Sequence, residues 1–166
     1  MSDSHVDNSV EAGSRFLSFS LGAEEFAIPL LAVREVIAVP DLTPVPFTPA
    51  HVLGIMNLRG QVISVLDLRK KLEINPRENA EIAVIICDLG SLSLGILVDA
   101  VNSVLAPKED EILPKPEIRG SRHSEFIQGV YRRDKNLVLF LDIAKALDTV
   151  DIQAINRAAN TKTNAA

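Results

Sequence analysis

The chain repeats itself, and that limits its folds more than any local motif does. Leu21-Gly22 recurs as Leu89-Gly90, Ile28 as Ile96, Leu30 as Val98, Ala32-Val33 as Ala100-Val101 and Val36-Ile37 as Val104-Leu105, all at one spacing. Pro44-Val45-Pro46 recurs as Pro114-Lys115-Pro116 at a slightly longer spacing. At a longer spacing still, Gly54-Ile55 becomes Gly129-Val130, Val62-Ile63 becomes Leu137-Val138, and Leu66-Asp67-Leu68 becomes Leu141-Asp142-Ile143. Lys70 and Leu72 likewise return as Lys145 and Leu147. The spacing grows only where loops can absorb insertions. Two copies of one unit are therefore expected, over about 16–72 and 81–147, joined near Glu73–Ala80, where Asn75-Pro76 interrupts a polar stretch. A unit of roughly 60 residues has a marginal core by itself, so the copies are expected to pack together.

Within each copy the apolar residues come in short runs of strand length, separated by Gly, Pro and Asp. Phe16–Leu21 and Phe26–Leu30 flank the turn Gly22-Ala23-Glu24-Glu25, and Ile82–Cys87 and Leu92–Val98 flank Asp88-Leu89-Gly90-Ser91, so both pairs read as hairpins. Val62–Leu66 and Val138–Leu141 follow polar turns. Many short strands at regular spacing suggest small barrels or a sandwich, since a parallel α/β sheet would need longer helical segments between strands. The best helix is C-terminal, over about 148–159, where Val150, Ile152, Ile155 and Ala159 recur at helical spacing behind Asp148 as a cap. The ends at 1–14 and 160–166 are polar or small and are expected to be disordered tails on a single folded unit of about 15–159.

Composition narrows the chemistry. Of the 166 residues, 17 are Lys or Arg and 22 are Asp or Glu, giving a net charge of −5 with no basic cluster. Nucleic-acid binding needs a cationic face, and a small barrel that binds strands also needs aromatics on it, whereas aromatic content here is 4%. That class is the weaker alternative. The single Cys87 cannot form an internal disulfide, and it ends an apolar run where a buried structural thiol is expected rather than a nucleophile. The first fifteen residues lack the apolar core of a signal peptide, and no run is long enough to span a bilayer, so a cytoplasmic protein is expected. His5, His51 and His123 have no Cys or carboxylate at ligand spacing, so no metal is expected, and no phosphate-binding loop, dinucleotide fingerprint or nucleophile elbow is present. Glu24-Glu25 and Glu109-Asp110-Glu111 read as solvated loop charges. No cofactor and no catalytic constellation is expected.

The distinctive stretch is Gly54-Ile55-Met56-Asn57-Leu58-Arg59-Gly60-Gln61 and the strand after it. A tight turn there needs little beyond Asn57 and Gly60, so Arg59 is not explained by geometry. In the second copy its position is Asp134, and that of Asn57 is Arg132. An arginine that binds a partner and an ordinary surface arginine both remain open.

Asn57-Leu58-Arg59-Gly60 through Val65-Leu66-Asp67-Leu68-Arg69, with Phe26-Ala27-Ile28-Pro29-Leu30, Val33-Arg34-Glu35-Val36-Ile37, Asp88-Leu89-Gly90 and Gly95-Ile96-Leu97-Val98-Asp99-Ala100-Val101, closely resembles the CheW family of bacterial chemotaxis coupling proteins. The resemblance spans about 15–147 and both copies. It implies a mainly β fold: two small SH3-like five-stranded β-barrels around a shared hydrophobic core, with short helices and a C-terminal helix. It also implies a non-enzymatic adaptor between methyl-accepting chemoreceptors and the C-terminal regulatory domain of a CheA-type histidine kinase, cytoplasmic but recruited to membrane receptor arrays, with ring assemblies possible. Carried onto this chain, a receptor-binding groove would involve Val33, Glu35, Val36, Asn57, Arg59, Val101 and Val104, with Glu35 and Arg59 resembling a charged pair. The same valines can equally be core. Kinase contacts would fall on the Pro-punctuated loops at Leu42 and Val45, and at Leu113, Glu117 and Ile118, which can also be read as covers for the barrel ends. Family members also serve twitching, other surface motility and development, so the pathway's output stays open.

Overall fold

A computed structural model describes residues 14–113 and 124–164. Among the described residues eleven strands run in chain order as β1 (Phe16–Leu21), β2 (Glu24–Pro29), β3 (Val33–Ala38), β4 (Val52–Leu58), β5 (Gln61–Leu66), β6 (Ala83–Leu89), β7 (Leu92–Val98), β8 (Ala100–Leu105), β9 (Ile112–Leu113), β10 (Ile127–Arg133) and β11 (Asn136–Leu141). Two single-turn helices, α1 (Leu68–Lys71) and α2 (Ile143–Ala146), follow β5 and β11, and α3 (Thr149–Asn164) comes last. The fold is mainly β, in two sheets ordered β8-β1-β2-β11-β10-β9 and β3-β6-β7-β5-β4.

The internal repeat is real at the level of residue pairs. Ile28 pairs with Leu17 between β2 and β1, and Ile96 with Ile85 between β7 and β6, so the equivalent isoleucines hold equivalent registers and both are fully buried. The irregularities repeat too: the β4–β5 ladder slips between Val52 and Gly54, and the β10–β11 ladder between Ile127 and Gly129. Asp67 and Asp142 each cap the short helix that follows, accepting from the backbone N–H of Arg69 and of Lys145.

The expected division into a first barrel over 16–72 and a second over 81–147 does not describe the sheets. The hairpin β1–β2 of the first copy lies in the sheet built by β8, β9, β10 and β11 of the second, and β6–β7 of the second lies with β3, β4 and β5 of the first. The copies have exchanged hairpins. Each exchanged hairpin is joined to the other copy on both sides, through the parallel pairings β11 with β2 (Leu139 opposite Phe26) and β5 with β7 (Ser64 opposite Leu94) and the antiparallel pairings β1 with β8 and β6 with β3. Sequence repetition specifies the strands and their order, but exchanged and unexchanged hairpins bury the same alternating faces, so periodicity does not distinguish them.

Each sheet curls back on itself through the chain that leaves its edge strand. After β3, Thr43 pairs with Ile55 of β4 through two backbone bonds of 2.9 Å. After β8, β9 does the same, pairing Leu113 with Val130 of β10. Gly54 makes the first of these closures possible, since a Cβ there would lie 2.6 Å from the Thr43 carbonyl oxygen.

Strands apolar on both faces serve two cores at once. Along β6, Ile85 and Cys87 enter the central cluster between the sheets, with Leu17, Phe19, Ile28, Ile96 and Val98, while Val84 and Ile86 enter a second cluster with Met56, Ile63, Val65 and Leu97. The six-stranded sheet has its own cluster of Phe16, Ala27, Leu105, Val138 and Phe140. Burial, with Asp88 nearby, pushes the Cys87 thiol up to about 12, which suits packing rather than nucleophilic chemistry.

Helix α3 runs to Asn164, beyond the expected end at 159 and into the supposed tail of 160–166. Its N-terminus is capped reciprocally: Asp148 Oδ1 accepts from the Asp151 N–H at 2.9 Å, and Asp151 Oδ2 accepts from the Asp148 N–H at 3.1 Å. Asp151, fully buried, also binds His51 Nε2 and Lys71 Nζ. Burial acts to raise its carboxyl pKa, but the Lys71, Asp148 and His51 hydrogen bonds outweigh it and hold the group below its ordinary value. Ile155 carries the helix into the central core. The 1–14 tail, apart from Ser14, lies outside the described residues, as do Glu117 and Ile118.

Candidate partner-binding site

Glu35 lies on β3 and Arg59 in the turn after β4, the two opposite edges of the five-stranded sheet. The curl of that sheet brings them together. Arg59 Nη1 donates to Glu35 Oε1 at 2.6 Å and Nη2 to Oε2 at 3.0 Å, a two-point guanidinium–carboxylate pair. The hydrogen bonds from Arg59 hold the Glu35 carboxyl below the usual range, and the same pairing raises Arg59. The Arg59 side chain remains 73% exposed, so in water the pair contributes little to stability and leaves donor N–H groups facing solvent.

The turn is built to present this arginine. Arg59 sits at φ 50°, a left-handed conformation costly for a residue with a Cβ, and Asn57 Oδ1 accepts from the Gly60 N–H at 2.9 Å to hold it. Asn57 is itself exposed. The second copy has Asp134 at φ 54° in the equivalent place, so the backbone is inherited and the side chain is free to differ.

Of the four valines, Val33 and Val101 are partly buried against the central cluster, whereas Val36 is 42% and Val104 is 52% exposed. The choice between core and surface thus divides by position: Val33 and Val101 reach the core from β3 and β8, and Val36 and Val104 face outward from the same two strands. Glu35, Val36, Asn57 and Arg59 are brought to one sheet, and Val101 and Val104 stand on the edge strand of the other.

The Pro-rich loop is more anchored than its sequence suggests. Leu42 packs on the second apolar cluster, and the Val45 carbonyl accepts from Thr48 Oγ1 at 2.9 Å. Leu113 is partly buried in β9. What the loop offers to solvent is Phe47, 99% exposed at φ 62°. Leu31, in the single turn before β3, is also fully exposed. Sequence reasoning missed both, although Leu31 is the repeat partner of the fully buried Asp99, a mismatch visible in the alignment of the copies. Among the described residues no three His, Cys, Asp or Glu side chains gather as metal ligands, and no helix is long and apolar enough to cross a membrane.

An arginine propped outward by a carboxylate, with the exposed Val36 next to that carboxylate in sequence, thus stands on a duplicated β framework. Comparison with known proteins supplies the class. The chain belongs to the family of the CheW-like domain, whose model matches residues 15–151. It is 29% identical over 153 residues to the "Probable chemotaxis protein CheW" of Rhizobium etli, covering 91% of this chain and 99% of that one. To "Protein FrzA" of Myxococcus xanthus it is 31% identical over 149 residues, covering 86% and 90%. The crystal structure of the scaffolding protein TtCheW from Thermoanaerobacter tengcongensis superposes with a TM-score of 0.75 at 28% identity, over 84% of this chain and 95% of that one. The chain is thus a non-enzymatic coupling scaffold of the chemotaxis type.

Proposed function

We propose that this chain couples the cytoplasmic tips of methyl-accepting chemoreceptors to the C-terminal regulatory domain of a CheA-type histidine kinase, working in the cytoplasm and recruited to receptor arrays. The observation that carries this is the Glu35–Arg59 pair, which spends a strained backbone conformation and a two-point ion pair on an exposed side chain. Val33, Val36, Val101 and Val104 supply apolar contacts for a receptor helix, with Glu35, Asn57 and Arg59 as the polar contacts. The kinase is assigned to the Pro-rich segments, at Leu42 and Val45 and at Leu113, Glu117 and Ile118. No cofactor or metal enters this function.

Calorimetric titration with the kinase regulatory domain from the same organism tests the scaffold role: saturable binding at micromolar affinity or tighter is expected, and absence of heat at several temperatures removes the kinase as partner. Arg59→Glu is expected to weaken binding of a soluble receptor-tip fragment at least tenfold with the thermal midpoint nearly unchanged. A large fall in the midpoint would make Arg59 structural. The similarity to FrzA, a relative that does not carry the CheW name, favours a second reading in which the same coupling serves surface motility or development rather than swimming.

A further inference from the structure

The partner-binding reading leaves a second arginine unexplained. Arg34 stands next to Glu35 on β3, and its guanidinium makes four hydrogen bonds: Nε to Asp88 Oδ2 at 3.0 Å, Nη2 to Asp88 Oδ1 at 2.6 Å and to Ser93 Oγ at 3.2 Å, and Nη1 to Gln61 Oε1 at 2.8 Å. Ser93 Oγ in turn donates to Asp88 Oδ1 at 2.6 Å. These partners lie at the end of β6, the start of β7 and the start of β5. In the order β3-β6-β7-β5-β4, one side chain of the edge strand therefore touches every strand up to the fourth. On a flat sheet that is three steps of about 4.8 Å, more than an arginine covers alone and as much as a fully extended arginine and Gln61 could bridge together. The side chain spans the curled end of the sheet as a chord.

That chord is what Glu35 and Arg59 depend on. Glu35 is the residue after Arg34, and Gln61 follows Arg59 by a single glycine, so Arg34–Gln61 and Glu35–Arg59 are two adjacent ties between the same two pieces of chain. Arg59 sits at the tip of an exposed turn, and nothing in its own ion pair fixes how far the sheet curls. The second copy keeps the position but not the strength. Asn102, the counterpart of Arg34, donates to Ser20 Oγ at 3.0 Å and Glu25 Oε1 at 3.3 Å, and the neighbouring tie is a 3.4 Å contact from Arg133 Nη1 to Ser103 Oγ. Of these two pairs of ties, the one beside the exposed arginine is built from charge-assisted arginine forks and its counterpart in the second copy is not.

We infer that Arg34 is a positioning residue: it fixes the curl of the five-stranded sheet so that Glu35 and Arg59, carried on opposite edges, meet in two-point geometry and present Arg59 to the receptor. This rests on the receptor-binding reading of Arg59. The geometric part is tested without any partner, by NMR titration of the Glu35 carboxyl carbon and by the exchange rates of the Arg59 Nη protons, which make the pair. In Arg34→Ala and in Asp88→Ala the Glu35 carboxyl should titrate higher than in the parent, and the Arg59 Nη protons should exchange several-fold faster. Asp88→Ala separates positioning from simple charge. Removing a negative charge beside Glu35 lowers its pKa directly, so a rise can come only from a loosened pair. A fall, or unchanged Arg59 exchange in both variants, overturns the inference. Arg34→Lys, one cation without the planar fork, should behave more like Arg34→Ala than like the parent.

Binding of a soluble receptor-tip fragment completes the test. Arg34→Ala should weaken it about five- to tenfold, less than Arg59→Ala does. If Arg59→Ala binds normally, the receptor reading of Arg59 fails and the presentation clause goes with it, while the NMR shifts still decide the positioning. If Arg59→Ala weakens binding and Arg34→Ala does not, the receptor reading stands and this inference falls.

Discussion

The two copies of the repeat share a backbone and differ in how they are fastened. In both, a main-chain bond joins the helix cap to the residue before β4 or β10, from the Asp67 N–H to the His51 carbonyl at 2.7 Å and from the Asp142 N–H to the Phe126 carbonyl at 2.8 Å. Around that common frame the first copy uses charge. Arg69 Nε and Nη2 bind both carboxylate oxygens of Asp67 at 2.9 and 3.0 Å, and Nη1 reaches the fully buried Asp99 at 2.7 Å. Asp99 also accepts from the Gly22 N–H at 2.5 Å, tying the exchanged hairpin to the linker side of the molecule. Asp151 of α3 is gripped by His51 and Lys71. The corresponding residues of the second copy are Ala144 for Arg69, Phe126 for His51 and Ala146 for Lys71. Duplication preserved what the ladders require, namely register, bulge and cap, and left the fasteners free to become ionic on one side while, on the other, Ala and Phe replace the cations and the Asp142 carboxylate accepts from the neutral Gln128 Nε2 at 3.0 Å.

The sharpest way to break this comparison is Arg69→Ala, which gives the first copy the residue of the second while leaving Asp67 and Asp99 in place. Two buried carboxylates would lose their cation, and a loss of about 3–5 kcal/mol is expected in urea unfolding. A loss below about 1 kcal/mol would mean that the ionic fastener is dispensable and the halves are held alike.

Acid sharpens the contrast next. A carboxyl whose folded-state pKa is depressed contributes stability above its unfolded value of about 3.9, and that stability is lost as pH falls through the folded value. Asp151 is such a group, depressed by Lys71, the Asp148 N–H and His51 against the opposing effect of burial. The parent should therefore lose stability on acidification below about pH 4. Asp151→Asn should be less stable at neutral pH but show a smaller drop between pH 7 and pH 3 in the thermal midpoint. Equal drops would place the acid sensitivity elsewhere.

The smallest effect has the opposite sign. Ser64 on β5 is buried, and its hydroxyl is without a hydrogen-bond partner among the described residues, whereas its counterpart on β11 is Leu139. Ser64→Ala is expected to raise stability by about 1 kcal/mol, read as a shift of the urea midpoint at constant slope. A destabilisation would show that the hydroxyl is satisfied after all.

Much of this was legible in the residues. The hairpins over Phe16–Leu30 and Ile82–Val98 follow from strand-length apolar runs around Gly-containing turns, and the equivalence of Ile28 and Ile96 follows from the repeat alone. The Asp148 cap was visible for the same local reason. The extent of α3 was not, because Asn160–Asn164 is no longer apolar and helical periodicity gives no signal there. The exchange of hairpins was not legible either, since it rests on pairings such as Phe26 with Leu139 that no local pattern specifies. Glu35–Arg59 was suggested by family resemblance, while the Arg34 fork joins residues 27, 54 and 59 positions apart and leaves no motif. Exposure of Phe47 is a property of the turn's left-handed backbone, which an aromatic in a Pro-rich run does not announce.

The exchanged hairpins make this chain equivalent to a strand-swapped dimer whose subunits have been fused. Cutting the linker around Glu73–Ala80 would not release two domains. It would give two fragments, each holding strands of both sheets, able to regain the fold only by finding one another. The linker turns that encounter into an intramolecular event at high effective concentration, and neither half can evolve, unfold or be transplanted without the other.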